Sequence, residues 1–189
     1  MLEFYNLLSL EMDSTVKYYC PQPITAKVED DSGKTREVTF DVYVVYITGA
    51  EEMQEVKYDS DLQRADERGD KTREQIHFEE IWTKRNQLNF KVRTDKEIMY
   101  NRFVIPNLLY LYAFVKRYHD PDYDELSEKV TYCLKDGRKH KIISVSEYAE
   151  IAYNRCLSLL AYMHFDGSIK IELTKKAIDK NTMVIINGM

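Results

Sequence analysis

The chain has 189 residues, which is enough for one domain or for a domain with a small appendage. Hydrophobic residues make up 44% and charged residues 31%, the composition of an ordinary soluble globular protein. The net charge of −5 argues against a protein that holds DNA unaided, because such proteins are usually basic. A DNA ligand would therefore require metal ions or a partner to supply the missing positive charge.

The cysteines follow no metal-binding or disulfide pattern. Cys20, Cys133 and Cys156 are scattered, and the histidines are equally dispersed, so a structural zinc site is not expected. Free thiols in a reducing cytoplasm are the plain interpretation. The N-terminus lacks the features of a signal peptide, and no apolar run has the length of a transmembrane span. We therefore expect a cytoplasmic protein that does not associate with membranes.

Apolar residues at helical spacing predict a first helix over residues 2–12. Two alternating segments, residues 16–30 and 34–49, flank the turn sequence DDSGK and predict an antiparallel hairpin. The second segment is predicted as one continuous strand, in which Asp41 interrupts an apolar, β-branched and aromatic pattern. A short strand, MQEVKY, follows the next turn.

Charged residues dominate the next segment, residues 59–86, where we expect helical structure. Residues 64–73 have almost no apolar side chains and contain Gly69, so a loop or mobile region is predicted there, followed by a helix through Trp82. The stretch LNFKVRT (88–94) predicts a further strand. The order helix, strand, strand, strand, helix, strand predicts an α/β core.

The sequence pattern changes after Thr94, and a boundary near residues 101–106 is predicted from that change. It divides the chain into domain 1–100 and domain 101–189.

The second domain is predicted to be mostly helical. Helices are expected over residues 107–118 and 120–134, followed by a helix pair capped by Ser144 or Ser146. The strand SIKIEL comes next, and KNTMVIIN is the candidate returning strand. The order helix, helix, hairpin indicates a small winged-helix-like domain.

Three side chains carry the chemistry that the sequence suggests. Asp41 lies in the second hairpin segment, and the next strand carries Glu55 and Lys57. A spacing of two residues returns Glu55 and Lys57 to the same face of a strand. Metal-dependent phosphodiester hydrolysis needs oxygen ligands for Mg²⁺ and a cation near the attacking water or the scissile phosphate. An aspartate, then a turn, then a strand with the sequence E-x-K is therefore an order that favours a nuclease site.

Simpler interpretations of the same residues stay open. Asp41 alone can be a salt-bridged structural carboxylate, and Glu55 with Lys57 can be a solvated surface pair. The basic stretches RKHK (138–141) and KK (175–176) either contact phosphates or form solvated faces.

Several segments taken together resemble the TnsA endonuclease family, the strand-cutting partners in heteromeric bacterial transposases. The similarity covers about residues 2–98 and weakens beyond them. The segments that carry it are LEFYNLLSLEMDSTV (2–16), CPQPI (20–24), TFDVYVVY (39–46), EVKYDSDL (55–62) and TDKEI (94–98). This chain has FD where a PD pair is usual, but that proline is not a ligand.

The resemblance implies a PD-(D/E)xK fold, that is, a restriction-endonuclease-like mixed sheet with flanking helices, and a Mg²⁺ ion that Mn²⁺ can replace. It implies metal ligation by Asp41 and Glu55 with help from Glu3, while Lys57 orients or activates water and steadies the phosphate. The backbone carbonyl of Val56 is a plausible extra ligand.

Glu79 and Gln22 are further candidates that the resemblance adds. Glu79 aligns with a helix glutamate of the family, and its simpler interpretation is an acid on a solvated helix face. Gln22 belongs to the Gln-Pro segment.

Three hypotheses about function follow from these observations. The resemblance implies a DNA endonuclease subunit that cuts at the transposon 5′ ends, with a partner transposase and a regulatory ATPase as further partners. A related restriction, repair or phage DNA-processing nuclease would keep the same site without a transposase. A non-catalytic assembly subunit would keep the fold alone.

Overall fold

The computed structural model describes residues 1–115 and 120–187. The chain divides into two units, Met1–Tyr100 and Asn101–Met189. The first unit is built from α1 (Leu2–Glu11), β1 (Val16–Pro21), β2 (Thr25–Glu29), β3 (Thr35–Thr39), β4 (Val42–Tyr46), β5 (Glu51–Lys57), α2 (Asp59–Leu62), α3 (Glu67–Arg85), β6 (Asn89–Thr94) and α4 (Asp95–Ile98).

A mixed four-stranded sheet forms the centre of the first unit. Its strand order is β1-β4-β5-β6, with antiparallel pairing of β1 with β4 and of β4 with β5, and parallel pairing of β5 with β6. Parallel neighbours need a long crossover connection, and α2 with α3 supplies it between β5 and β6. This mixed sheet with flanking helices confirms the predicted restriction-endonuclease-like α/β fold.

The predicted hairpin is present, but it is bent into two strand pairs. β2 pairs with β3 next to the turn, and β1 pairs with β4 in the main sheet. The prediction of one continuous strand through Asp41 is therefore wrong, because Asp41 lies in the bend between β3 and β4. Proline lacks the N–H group that a strand ladder needs, and Pro21 and Pro23 lie on the opposite side of this bend. Gln22 between them has a left-handed backbone, with φ of 45°.

The two faces of the sheet are covered by different helices. On one face, Phe78 of α3 packs with Phe40 and Met53, and the Phe40 ring lies 5.0 Å from that of Trp82. On the other face, α1 packs through Leu10 and donates a hydrogen bond from Asn6 to Gln54 of β5. Because side chains alternate along a strand, Gln54 and Glu55 point to opposite faces. The face that carries Glu55 is therefore the one covered by α3.

Helix α3 runs without interruption from Glu67 to Arg85, so the predicted loop around Gly69 is wrong. Gly69 is buried in the first turn and donates its N–H to the Asp66 side chain at 3.0 Å. A Cβ atom at this position would lie 2.3 Å from the carbonyl oxygen of Arg64. The glycine therefore allows a close approach of the preceding loop and does not break the helix.

Replacing Gly69 with alanine should destabilise the protein by about 1–3 kcal/mol, because the loop at Arg64 must move to admit the methyl group. At an unobstructed helix position the same change would stabilise by about 1 kcal/mol, so the sign of the effect is diagnostic. Urea denaturation measures it, with Arg68→Ala on the exposed side of the same turn as the control. A stabilised Gly69→Ala variant would contradict the close contact.

The second unit combines helices with a three-stranded sheet of order β7-β9-β8, in which both pairings are antiparallel. Its described elements are α5 (Val104–Val115), α6 (Tyr123–Leu134), β7 (His140–Lys141), α7 (Ile142–Tyr148), α8 (Tyr153–Phe165), β8 (Ile169–Ile171) and β9 (Met183–Ile186). Leu111, Val130, Leu157 and Val184 are among the buried residues of its core.

The predicted helices and the two last strands of this unit are present, with two corrections. β7 was not predicted, because two residues carry no detectable alternation. Neither Ser144 nor Ser146 caps α7, which begins at Ile142, and the Ser146 hydroxyl donates to the carbonyl of Ile151 instead. Residues 116–118 of the predicted helix 107–118 lie outside the described residues. Among the described helices, none is both long and apolar enough to cross a membrane.

Candidate active site

Asp41 lies immediately before β4, at the edge where that strand meets β5. The register pairs Val42 with Gln54, which brings Asp41 opposite the end of β5. Its carboxylate Oδ2 accepts a hydrogen bond of 2.7 Å from the backbone N–H of Val56. The bend in the hairpin thus holds the Asp41 carboxylate against the middle residue of the E-x-K sequence.

Glu55 and Lys57 form an ion pair on the α3 face of β5. The Glu55 side chain is 1% exposed and that of Lys57 is 23% exposed. A surface pair would be largely solvated, so the interpretation as a solvated surface pair is wrong. The structure instead buries the Glu55 carboxyl beneath α3, where a charge without a partner is costly, and leaves Lys57 partly exposed.

Helix α3 adds two polar side chains, Gln75 and Glu79, which lie one helical turn apart. The amide Nε2 of Gln75 donates hydrogen bonds of 2.8 Å to Oε1 of Glu55 and of 2.8 Å to Oε1 of Glu79. Glu79 is completely buried, so its interpretation as an acid on a solvated helix face is wrong. Gln75 was missed at the sequence level. Its spacing of four from Glu79, beside the buried Phe78, is the signal that could have identified it.

Burial perturbs the ionisation of both glutamates. Burial, followed by the negative charges of Glu79 and Asp41, raises the pKa of Glu55 to about 8. Burial likewise raises the pKa of Glu79 to about 7. Burial acts to lower the pKa of Lys57, but the hydrogen bond and charge of Glu55 outweigh it and the pKa is raised. Three carboxyl groups thus face one ammonium group, and the site needs protons or another cation for neutrality.

The donor chemistry of this cluster fits a hard divalent cation. Within the described residues, Oε2 of Glu55 and Oε2 of Glu79 are buried without a hydrogen-bond partner. Carboxylate oxygens are the ligands that Mg²⁺ prefers, and unpartnered buried oxygens are costly unless something binds them. Across residues 1–115 and 120–187, however, no three or more His, Cys, Asp or Glu side chains stand together as a ready metal-binding group. Metal ligation by the backbone carbonyl of Val56 stays a prediction.

The structure does not bring Glu3 or the Gln22 side chain into this cluster. Glu3 is exposed near the start of α1, and α1 covers the sheet face opposite to that of Glu55. Gln22 is also exposed, but its backbone N–H donates to the carbonyl of Asp41 at 2.8 Å. Gln22 thus supports the backbone at the site, whereas Glu3 needs a rearrangement of the helix start to approach it.

The mixed sheet, with an aspartate at a strand start and an E-x-K sequence on the neighbouring strand, is characteristic of nucleases of the restriction-endonuclease-like class. Comparison with family models supports this class, since residues 13–95 match the model described as "TnsA-like endonuclease N terminal". Residues 13–95 therefore match a TnsA-like endonuclease domain, as the resemblance predicted. The matched range includes Asp41, Glu55, Lys57 and Glu79 and excludes Glu3. A comparison with curated proteins found no match.

Proposed function

We propose that this protein is a Mg²⁺-dependent DNA endonuclease subunit of a heteromeric transposase, which cleaves at the transposon 5′ ends. The observation that carries the proposal is the excess of carboxyl groups over cations, since Asp41 and the buried Glu55 and Glu79 face the single ammonium group of Lys57. Such an excess is costly for a purely structural site, but it suits one that binds a divalent cation.

Each residue of the cluster has a role in this proposal. Asp41 and Glu55 would hold Mg²⁺ or Mn²⁺, and Glu79 would supply a further carboxylate from α3. The bound metal would polarise the scissile phosphate and neutralise charge that develops during hydrolysis. Lys57 donates its N–H groups to a phosphate oxygen or to the attacking water, and its pairing with Glu55 keeps it in place. Gln75 donates a hydrogen bond to one oxygen of each glutamate and so holds the two carboxyl groups side by side.

The proposed partners account for the acidic character of the chain. A net charge of −5 disfavours tight DNA binding by this protein alone, so a partner transposase would bring the transposon ends to the site. A regulatory ATPase is a further proposed partner of the second unit. Its helices and three-stranded sheet are compatible with a winged-helix-like binding domain. The three cysteines are free thiols, which suits the reducing cytoplasm where we propose that the protein acts.

A nicking assay on supercoiled plasmid DNA tests the catalytic part of the proposal. The wild-type protein should nick DNA in Mn²⁺, alone or with its transposase partner, and chelation should abolish the reaction. Lys57→Ala should lower the rate at least about 100-fold, because it removes the cation at the reacting phosphate. Lys96→Ala is the matched control, since Lys96 pairs with Asp59 at the surface. Equal rates for Lys57→Ala and wild type, or nicking in excess chelator, would contradict the proposal.

A further inference from the structure

An open cleft in the second unit lies between helices α6 and α7. Two tyrosines define it, Tyr132 on α6 and Tyr148 at the end of α7, which are 57% and 58% exposed. Their rings are stacked, with centroids 6.4 Å apart and an angle of 21° between the planes. The cleft has a volume of about 450 Å³, within the range of small-molecule and side-chain binding sites. Two large aromatic rings exposed together in a concave surface indicate a binding surface.

The ring of Tyr132, which borders both this cleft and an adjoining one lined by Lys135, already attracts a cation. The ammonium group of Lys135 lies 3.4 Å from the centroid of the Tyr132 ring, a close cation–π contact. Lys135 comes from the end of the same helix, so its long and flexible side chain can leave the ring when another cation competes. The electron-rich face of Tyr132 is therefore available to an incoming lysine or arginine.

Carboxylates surround the two rings. Glu125, Glu128 and Glu150 line the cleft, and Glu125 forms an ion pair of 2.6 Å with Lys129. In the part of the chain that the structure describes, Glu128 and Glu150 make neither an ion pair nor a side-chain hydrogen bond. The lining of the cleft thus sets three carboxylates and two aromatic faces against the single ammonium group of Lys129. This excess of negative charge complements a positively charged group and repels phosphate.

The backbone at Glu150 is a separate observation that points to the same cleft. Glu150 follows the last residues of α7 and has a left-handed conformation, with φ of 56°. Glycine is the usual residue at such a position after a helix, because a Cβ atom makes this conformation unfavourable. A glutamate here keeps a carboxylate in the cleft at the expense of local stability, and strain of this kind is typical of binding sites.

We propose that this cleft binds a lysine- or arginine-bearing segment of a partner protein. One cationic side chain would compete with Lys135 for the ring of Tyr132, and its charge would pair with Glu128 and Glu150. A nucleic acid is disfavoured because its phosphates would meet these carboxylates. The proposal concerns the second unit alone and does not depend on nuclease activity, so either can fail without the other.

Two short peptides test the charge requirement on the full-length chain. The first is acetyl-Gly-Leu-Arg-Leu-Arg-Gly-amide, and the second replaces both arginines with citrulline, which keeps the shape but removes the charge. Calorimetry should show that the arginine peptide binds at least tenfold more tightly. Equal binding of the two peptides, or no binding of either at millimolar concentration, would overturn the proposal.

Variants locate the binding in the cleft. Tyr148→Ala and the double variant Glu128→Gln/Glu150→Gln should each weaken binding of the arginine peptide at least tenfold. Tyr100→Ala should leave binding unchanged, because Tyr100 is 68% exposed in the first unit. Glu150→Gly should raise the melting temperature by relieving the left-handed backbone, yet weaken binding. This opposite response separates a lost binding group from a damaged fold. Variants that bind like the wild type would overturn the proposal.

Discussion

Replacing Asp41 with asparagine is expected to abolish divalent-metal binding while leaving the fold intact. Asp41 is the carboxylate that the bend between β3 and β4 holds against the end of β5. Asparagine has nearly the same shape, and its carbonyl oxygen can still accept the hydrogen bond from the N–H of Val56. It lacks the negative charge that a metal ligand supplies. The loss should exceed the roughly 10–100-fold that removal of a residue supporting a ligand costs.

Calorimetric titration with Mn²⁺ measures this effect, and urea denaturation in the presence of a chelator measures the fold. Asp41→Ala should lose metal binding equally, but it should also lower the free energy of unfolding by about 1–3 kcal/mol because the Val56 N–H loses its partner. The pair of variants thus separates the structural role of Asp41 from its role as a ligand. A wild-type affinity in Asp41→Asn would place the metal elsewhere. Absence of Mn²⁺ binding by the wild-type chain at millimolar metal would count against a metal site in the isolated protein.

The parts of this site that sequence predicts are those set by local geometry. Alternation along a strand requires that Glu55 and Lys57 share a face, whatever the surrounding fold. The turn sequence DDSGK similarly fixes the hairpin that carries Asp41, since Asp30 accepts hydrogen bonds from Ser32 and Lys34 within the turn. The placement of Glu55 and Lys57 on one face of a strand could therefore be predicted from the sequence alone.

The remaining features depend on contacts between distant segments. Gln75 contacts Glu55 from twenty positions away, and only the packing of α3 against β5 decides which helix face meets the sheet. Gly69 was misinterpreted for the same reason, because its requirement for a small side chain comes from the loop at Arg64. Glu3 was predicted as a site residue because the start of α1 resembles the family pattern. The packing of α1 nevertheless leaves Glu3 exposed on the other face of the sheet.

Replacing Glu79 with glutamine is expected to stabilise the metal-free protein in alkaline solution by roughly 1–3 kcal/mol. Burial raises the pKa of Glu79 from 4.5 to about 7 in the folded protein. The folded state therefore binds more protons than the unfolded state between these values, and stability falls as the pH rises through this range. Glutamine keeps an oxygen that accepts the hydrogen bond from Gln75 but carries no charge. It also removes one of the negative charges that raise the pKa of Glu55.

Urea denaturation at pH 5 and pH 9 in the presence of a chelator tests this prediction. The two proteins should differ little at pH 5, where the wild-type carboxyl is protonated in the folded state, and should differ most at pH 9. Glu80→Gln is the matched control, because Glu80 is the exposed neighbour on the same helix. An identical pH dependence of Glu79→Gln and wild type would contradict a buried, high-pKa carboxyl at this position.

Metal should reverse the order of stability if Glu79 belongs to the binding site. Saturating Mn²⁺ stabilises only the folded state that binds it, so the wild-type protein should gain more than Glu79→Gln, which has lost one oxygen anion. The carboxylates that cost stability in the empty protein would then be those that the cation neutralises. A larger gain for the variant than for the wild type would instead assign Glu79 a purely electrostatic role outside the metal's ligands. A purely structural site of this composition would be more stable with glutamine at residue 79, so a buried carboxyl group at this position supports the proposed metal site.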